Sequence, residues 1–504
     1  MEKDQGRAAG ILLHISSLPG KEGIGTLGET AYRFADFLKA SGMRYWQILP
    51  LVQTGFGDSP YQSVYASSGN PYLIDLFALA KQGLLKKSEI APVCRKGAVD
   101  YSFLYAEKYK ILRRAFARFD QNDPGFCAFV EEGAFEDYAL YMAIKQRSGN
   151  KSFDLWEKRY KFRDGRALAA FKEENKSEYL FWLFLQYEFF DQWNKLKAYV
   201  KGLNIRIVGD IPLYVAADSA DVWANPRLFK LKGNLKPRKV AGVPPDYFSA
   251  TGQLWGNPVY DWKVHAEEGF AWWTERIRRA FAMYDVVRID HFRGFDRFYE
   301  IPAEAETAAV GRWRKGPGMA FFDAVKAKLG DLDFIAEDLG TLDAGVYRLM
   351  KKAGYPGMKV LQFAFDGNPS NPYLPENIGE NSVCYTGTHD NDTTVGYLAS
   401  LEEGERAAVL ARIRAQLKKQ NIALRVSGIK SAAKAIESLA LSCRSRTAIL
   451  PMQDALGLGA EARMNTPSVP AGNWQFRLRE LPGNGTAASL KALVGLYGRE
   501  KGEE

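Results

Sequence analysis

The sequence predicts an α/β fold, a (β/α)8 barrel of the TIM type. A large helical insertion is expected between its second and third strands, and a long irregular loop after the third. Three observations carry this. Short, mostly apolar runs of about 4–8 residues recur along the chain, the pattern of strands buried on both faces of a parallel sheet. Helical stretches alternate with them, which is the signature of α/β architecture. The runs end repeatedly in acids, and barrels of this type carry their sites at the C-terminal ends of the strands.

The first strand lies in Ile11–Ser16 (ILLHIS), and the helix Thr30–Ser41 follows it. Tyr45–Pro50 (YWQILP) is the second strand. The gap to the third is far longer than a crossover needs. Residues 76–201 read as amphipathic helix rich in Phe, Tyr, Leu and Lys, a helical insertion mounted on the barrel. Ile205–Val215 (IRIVGDIPLYV) holds the third strand. Residues 225–262 then combine Pro, Gly and aromatics with no clear period. A long structureless loop in a compact protein is usually functional or disordered, and the aromatics argue against disorder.

The helix Gly269–Met283 leads into the fourth strand, Val286–His291 (VVRIDH). Gly318–Leu329 is helical, and the fifth strand begins within Asp333–Gly340 (DFIAEDLG). After the helix Leu342–Lys352 come the sixth strand in Met358–Phe363 and the seventh in Ser382–Asp390. A charged helical stretch, 400–446, precedes the eighth strand in Thr447–Asp454. Residues 1–504 are read as one catalytic barrel unit, because such barrels often exceed 250 residues.

Composition narrows the function. With 46% apolar and 25% charged residues, the chain has ample material for a large soluble core. Lys and Arg number 68 against 59 Asp and Glu, a net charge of +9, yet the positive charge is spread along the chain. Nucleic acid is therefore not the expected partner, since such proteins concentrate their basic charge in a patch. Cys94, Cys127, Cys384 and Cys443 are far apart in sequence, which argues against a zinc site or a disulfide framework. The four histidines leave little for a metal site. The first ten residues carry both signs of charge, and Ile11–Leu13 is too short for a signal sequence, so a cytoplasmic location is expected. No window approaches the about 18 apolar residues of a membrane span.

The strand ends supply Asp210, Asp290, Glu337, Asp338, Asp390, Asp392 and Asp454. Any one of these alone reads best as a helix cap. Several like charges converging on one rim read as a site. Arg288 and Asp290 are two apart on a strand and share a face, and a guanidinium beside a carboxylate favours the charged form. That suits a nucleophile or an electrostatic stabiliser, or else a plain buried ion pair. Glu337 follows an apolar run, where burial keeps a carboxyl protonated and fit for general acid catalysis. His389 and Asp390 suit hydrogen bonding to a polyhydroxyl substrate better than metal binding. Two acids of differing proton affinity plus a third stabilising acid are the equipment for breaking a glycosidic bond. Aromatics after the strand ends (Trp46, Tyr61, Tyr65, Tyr72, Tyr214, Trp223, Tyr247, Phe248, Trp255, Trp262) offer faces for sugar rings, or core packing.

These stretches resemble the amylomaltases, the 4-α-glucanotransferases or disproportionating enzymes, which are relatives of the α-amylase barrels. The resemblance rests on GILLHISSLPG (10–20), GIGTLGETAYRFADFL (23–38), YWQILPL (45–51), GDSPYQSVYASSGNPYLIDL (57–76), VGDIPLYVAADSADVW (208–223) and GVPPDYFSATGQLWGNPVYDW (242–262). It continues through VRIDHFRGF (287–295), IAEDLG (335–340), GMKVLQFAF (357–365), YTGTHDNDTT (385–394) and MNTPS (464–468). The combination is highly specific.

The resemblance implies a retaining transfer of α-1,4-glucan segments between maltodextrins through a covalent glycosyl-enzyme. Asp290 would be the nucleophile, Glu337 the general acid/base and Asp390 the transition-state stabiliser. Arg288 and His389 would support them, Asp210 and Tyr214 would lie in the same cleft, and Ser59, Tyr61, Asp246, Gln253 and Trp255 would help hold the glucan. Residues 242–262 resemble the family's lid-like loop, and the family needs no metal or cofactor. Gln53, Ser468 and Phe476 depart from the family's usual Pro, Gly and Trp. The expected partners are maltodextrins, without nucleic acid or membrane, and the expected state is a monomer or weak homo-oligomer. An α-glucan hydrolase on the same barrel and a non-catalytic glucan-binding protein are the competing readings.

Overall fold

The computed structural model describes residues 6–55, 57–245, 250–340, 342–469 and 471–500. Among them run twelve strands: β1 (Ala8–Leu12), β2 (Tyr45–Gln47), β3 (Arg206–Ile211), β4 (Lys239–Val243), β5 (Gln253–Pro258), β6 (Val286–Ile289), β7 (Arg297–Pro302), β8 (Arg312–Lys315), β9 (Phe334–Ala336), β10 (Gly357–Val360), β11 (Ser382–Tyr385) and β12 (Thr447–Pro451). Eight of them close into a barrel in the order β1-β12-β11-β10-β9-β6-β3-β2. Every pair in it is parallel. Each expected run contributes to a strand shorter than itself, but β1 starts three residues before Ile11–Ser16 and shares only Ile11 and Leu12 with it, and β10 starts one residue before Met358. The run Ser382–Asp390, for example, keeps only Ser382–Tyr385 in the ladder. The rest leaves the sheet and is free to turn its side chains toward the rim.

The strands are buried on both sides, as their composition requires: β6, β9 and β11 bury every residue. Helices Glu29–Ala40, Ala271–Met283, Met319–Leu329 and Ala344–Ala353 fall within about two residues of their expected bounds. Gly209 in β3 is required by packing: a Cβ there would sit 2.1 Å from the Tyr284 ring.

Between β2 and β3 the chain forms eight helices from Leu76 to Gly202, ending in the 27-residue helix Lys176–Gly202. Four of them start on an aspartate whose side chain accepts a backbone N–H: Asp75, Asp100, Asp123 and Asp164. A buried ion pair, Lys108 Nζ to Glu22 Oε2 at 2.8 Å, ties helix Tyr101–Arg118 to the loop after β1.

The 225–262 segment departs from its expected lack of order. It contains β4 and β5, which join β7 and β8 in a four-stranded antiparallel sheet, order β5-β4-β7-β8. Two of these strands have only four or five residues, and Gly242 and Gly256 interrupt β4 and β5. Pairing between segments distant in sequence makes these strands, and local pattern does not show it.

Candidate active site

The site lies beyond the C-terminal ends of the barrel strands. Arg288 stands on β6, fully enclosed. Its Nη1 lies 2.7 Å from Asp210 Oδ2 at the end of β3 and 3.0 Å from Asp290 Oδ1 just past β6. Asp210 has no exposed side chain and also accepts a hydrogen bond from the Tyr61 hydroxyl at 2.8 Å. Burial pushes Asp210 upward while the guanidinium pulls it back. Asp210 thus reaches the site from beneath, through Arg288 and Tyr61. Asp290 is the more open carboxylate of the two, with its side chain 29% exposed.

Glu337 follows β9, the neighbour of β6 in the barrel. Its Oε2 accepts the backbone N–H of His291 at 2.7 Å, and its Oε1 accepts that of Leu339 at 2.8 Å. Burial raises its carboxyl to about 7, opposed by Arg288 and reinforced by Asp290. The backbone bends to make this possible. His291 is left-handed (φ 52°), a conformation costly for a residue with a side chain.

Asp390 approaches from the loop after β11. Asn465 Nδ2 donates to its Oδ1 at 2.6 Å, and Arg463 Nη2 donates to its backbone carbonyl at 2.8 Å. His389 Nε2 lies 3.4 Å from the same Oδ1. The His389 ring stacks on Tyr61, centroids 5.1 Å apart and 16° from parallel, with Trp474 beside both. Burial lowers His389 below the ordinary imidazole range, and holds His14 down at about 3. Both rings are therefore neutral near pH 7.

A cleft of about 600 Å³ is lined by Ser59, Tyr61, Tyr214, Trp255, Asp290 and His291. Trp255 meets His291 edge to face at 4.8 Å, and its Nε1 donates to Gln253 Oε1 at 3.1 Å. Asp246, and with it Tyr247 and Phe248, lies outside the described residues. Among the described residues no three His, Cys, Asp or Glu side chains are grouped to hold a metal ion.

Several acids of the strand ends have structural work instead. Asp338 is not a helix cap. It accepts the Met358 N–H at 2.6 Å and pairs with Lys359 at 3.0 Å, tying β9 to β10. Asp454 accepts from the backbone and hydroxyl of Thr394 at 2.6 and 2.7 Å. Trp46 and Trp223 are core residues, 1% and 0% exposed. Conversely, Asn465, Arg463, Trp474, His14 and His291 carry parts of the site that sequence reasoning did not name. The stretches GILLHISSLPG, VRIDHFRGF and MNTPS hold His14, His291 and Asn465 and so gave a signal for them, whereas nothing in the sequence singled out Arg463 or Trp474. Of the departures, Gln53 donates to Tyr109 at 3.3 Å and accepts from Tyr138. Ser468 is left-handed (φ 66°), the conformation that glycine adopts at no cost. Phe476 packs half-buried against the core.

A family model described as 4-alpha-glucanotransferase matches residues 13–482. The chain belongs to the 4-alpha-glucanotransferase family. It is 45% identical over 498 residues to the 4-alpha-glucanotransferase of Clostridium butyricum, covering 97% of this chain and all of that one. It is 47% identical over 486 residues to the 4-alpha-glucanotransferase of Thermus thermophilus, covering 95% of each. Among solved structures, the amylomaltase of Streptococcus agalactiae in complex with acarbose superposes with a TM-score of 0.92 at 39% identity, covering 98% of this chain and 100% of that one. As a 4-alpha-glucanotransferase, the protein is an enzyme. It moves a segment of α-1,4-glucan from a donor to the 4-hydroxyl of an acceptor, with retention, through a glycosyl-enzyme. No helix among the described residues is long and apolar enough to cross a membrane.

Proposed function

We propose that Asp290, Glu337 and Asp390 carry this transfer. Asp290 attacks C1 of the donor sugar while Glu337 gives its proton to the departing O4, so the glycosidic bond breaks as the C1–carboxylate bond forms. The acceptor 4-hydroxyl then attacks C1, Glu337 takes its proton, and the bond to Asp290 breaks. Asp390, held by Asn465, faces the positive charge that develops on the sugar in both steps. The observation that carries this reading is the contrast between neighbours. Glu337 is buried and raised to about 7, while Asp290, one strand away, is open to the cleft and paired with Arg288. Two carboxyls with environments this different take the acid and nucleophile roles apart.

Ser59, Tyr61, Tyr214, Gln253 and Trp255 line or adjoin the cleft and are suited to hold the glucan, with Asp246 a further contact on this reading. Arg288, Asp210 and His389 position the acids. Residues 1–504 act as one catalytic unit, in which 76–201 is a helical insertion and 225–262, including β4 and β5, covers the cleft. A cover that excludes water favours a sugar hydroxyl over water as the second nucleophile. The enzyme on this reading is cytoplasmic, a monomer or weak homo-oligomer, and takes maltodextrins without a nucleic-acid or membrane partner.

The test is incubation with maltotriose and chromatography of all products. Glucose plus a ladder of longer maltodextrins, with reducing ends constant, is the expected result. Rising reducing ends with shorter sugars only would make hydrolysis the main reaction. Unchanged maltotriose would sink the assignment.

A further inference from the structure

His291 joins Asp290 to Glu337 through its backbone. It directly follows Asp290, and its N–H donates to Glu337 Oε2 at 2.7 Å. The amide points that way because the residue is left-handed, φ 52° and ψ 49°. With the chain on either side fixed, a change of φ here swings the N–H off the carboxyl. The conformation is costly for a residue with a Cβ and persists only where the surroundings impose it. A hydrogen bond and a ring contact impose it here. The His291 carbonyl accepts the N–H of Gly294 at 3.0 Å, opening the turn Phe292–Phe295. The imidazole stands edge to face against Trp255, centroids 4.8 Å apart and 87° between planes. Its Nε2 is buried and meets no hydrogen-bond partner among the described residues, so the indole carries the ring's orientation. A ring contact of this kind contributes on the same order as a left-handed residue costs.

Among the described residues, Glu337 faces Arg288 and Asp290 from β6 and its end, Arg293 from the turn that follows, and Tyr373 from the chain between β10 and β11. The N–H groups of His291 and Leu339 lie on its two oxygens. Both of these bonds favour the ionised carboxylate, so losing one makes the carboxyl hold its proton to higher pH. Burial, with Arg293 beside it, holds the His291 imidazole down at about 3. The ring is therefore neutral throughout the working range and does not itself titrate there.

We propose that His291 is a positioning residue for the acid: Trp255 clamps its ring, the clamped ring keeps the peptide left-handed, and the peptide N–H aims Glu337 at the glycosidic oxygen. The proposal deepens the reading of Glu337 as general acid and rests on it. Trp255 stands on β5, in the segment that covers the cleft on that reading, so the cover and the proton donor are joined through one residue.

The experiment measures kcat and KM for maltotriose against pH in His291→Ala, His291→Asn, Trp255→Ala and Trp255→Ala/His291→Asn, with melting temperatures alongside. Alanine has no ring and adopts the left-handed conformation poorly, whereas asparagine is among the residues that adopt it readily. His291→Ala is expected to lower kcat roughly 10-fold and to carry the alkaline limb up by about one pH unit, the effect of losing one hydrogen bond to a charged group. His291→Asn is expected to leave the limb in its wild-type place and to keep most of kcat. Trp255→Ala is expected to raise KM through the loss of a glucan contact and also to move the limb upward. On the His291→Asn background it should leave the limb unmoved, because no ring is there to hold. An unmoved limb in His291→Ala would overturn the proposal: with a fall in melting temperature it would mark a structural residue, and with a rise in KM a substrate contact. Equal movement by Trp255→Ala on both backgrounds would overturn it too, because the indole would then act on Glu337 without His291. Glu337→Gln, run in parallel, separates the two readings, since a limb that survived there would count against the acid assignment itself.

Discussion

Asn465 donates a hydrogen bond from Nδ2 to Oδ1 of Asp390 across 2.6 Å, joining residues 75 apart in the chain. The same short segment grips the turn at two further points, through the Asn465 N–H on the His389 carbonyl at 3.1 Å and Arg463 on the Asp390 carbonyl. Asp390 is 43% exposed, so without these bonds its side chain has room to rotate. A hydrogen bond to a charged group contributes about 1.5–3 kcal/mol, or roughly a 10- to 150-fold change in rate if it is spent on orientation. Asn465→Ala is expected to lower kcat by that order and to leave the melting temperature nearly unchanged. Asn465→Asp should lose more, because it sets a like charge against Asp390. Steady-state kinetics on maltotriose check both, and an Asn465→Ala enzyme with normal kcat would refute the positioning role.

On the proposed assignment, Glu337 sets the pH dependence. Its folded value of about 7 means that it is protonated below that pH and able to give its proton to the leaving oxygen. As pH rises through about 7 the proton is lost, so kcat/KM for the donor is expected to fall on the alkaline side. General acid catalysis supplies about 10²- to 10⁴-fold, so Glu337→Gln should lose at least that on maltotriose. An aryl maltoside, whose leaving group needs no proton, should form the glycosyl-enzyme on Glu337→Gln at a rate independent of pH near 7. A variant that keeps the alkaline limb on either substrate would show that another group titrates there.

The barrel was legible because its strands are buried on both faces and so read as apolar runs. The antiparallel sheet was not. In β5 the exposed Leu254 and the cleft-side Trp255 invert the usual correspondence between polarity and burial. The three acids stood out because acids at the ends of apolar strands are costly without a purpose. Their partners were hidden for the opposite reason. Asn465 and Trp474 are ordinary residues in an irregular segment, and only the tertiary fold brings them to Asp390 and His389. Asp338 and Asp454 looked like Glu337 in sequence, yet each spends its oxygens on backbone and side chains of neighbouring elements.

Arg288 bridges two carboxylates through one nitrogen, and removing it separates architecture from chemistry. Arg288→Met leaves Asp210 buried with no cation beside it. Breaking a buried pair this way costs about 3–5 kcal/mol, so a marked fall in melting temperature is expected together with loss of activity. Adding Asp210→Asn removes the stranded carboxyl and should recover much of the melting temperature. Activity should not return, because Asp290 still lacks its guanidinium. If the double variant regained activity, Arg288 would be a structural residue alone.

Glu188 offers a test of burial far from the site. Its side chain is 2% exposed on helix Lys176–Gly202, and Gln82 Nε2 is a distant donor at 3.4 Å. Burial raises its carboxyl to about 7 against an ordinary value of 4.5. A raised folded value means that the native state holds the proton more tightly than the unfolded chain. The associated stability is complete below about 4.5 and is lost as pH rises through about 7. At pH 8 the wild-type protein must therefore keep a poorly compensated charge inside, at a cost of about 3 kcal/mol. Glutamine has the same shape and no charge. Glu188→Gln is expected to raise the melting temperature at pH 8 and to leave it nearly unchanged at pH 4, where the wild-type carboxyl is already neutral. Thermal unfolding at the two pH values decides the matter: equal effects at both would mean that the glutamate is ionised throughout and finds a partner that burial conceals.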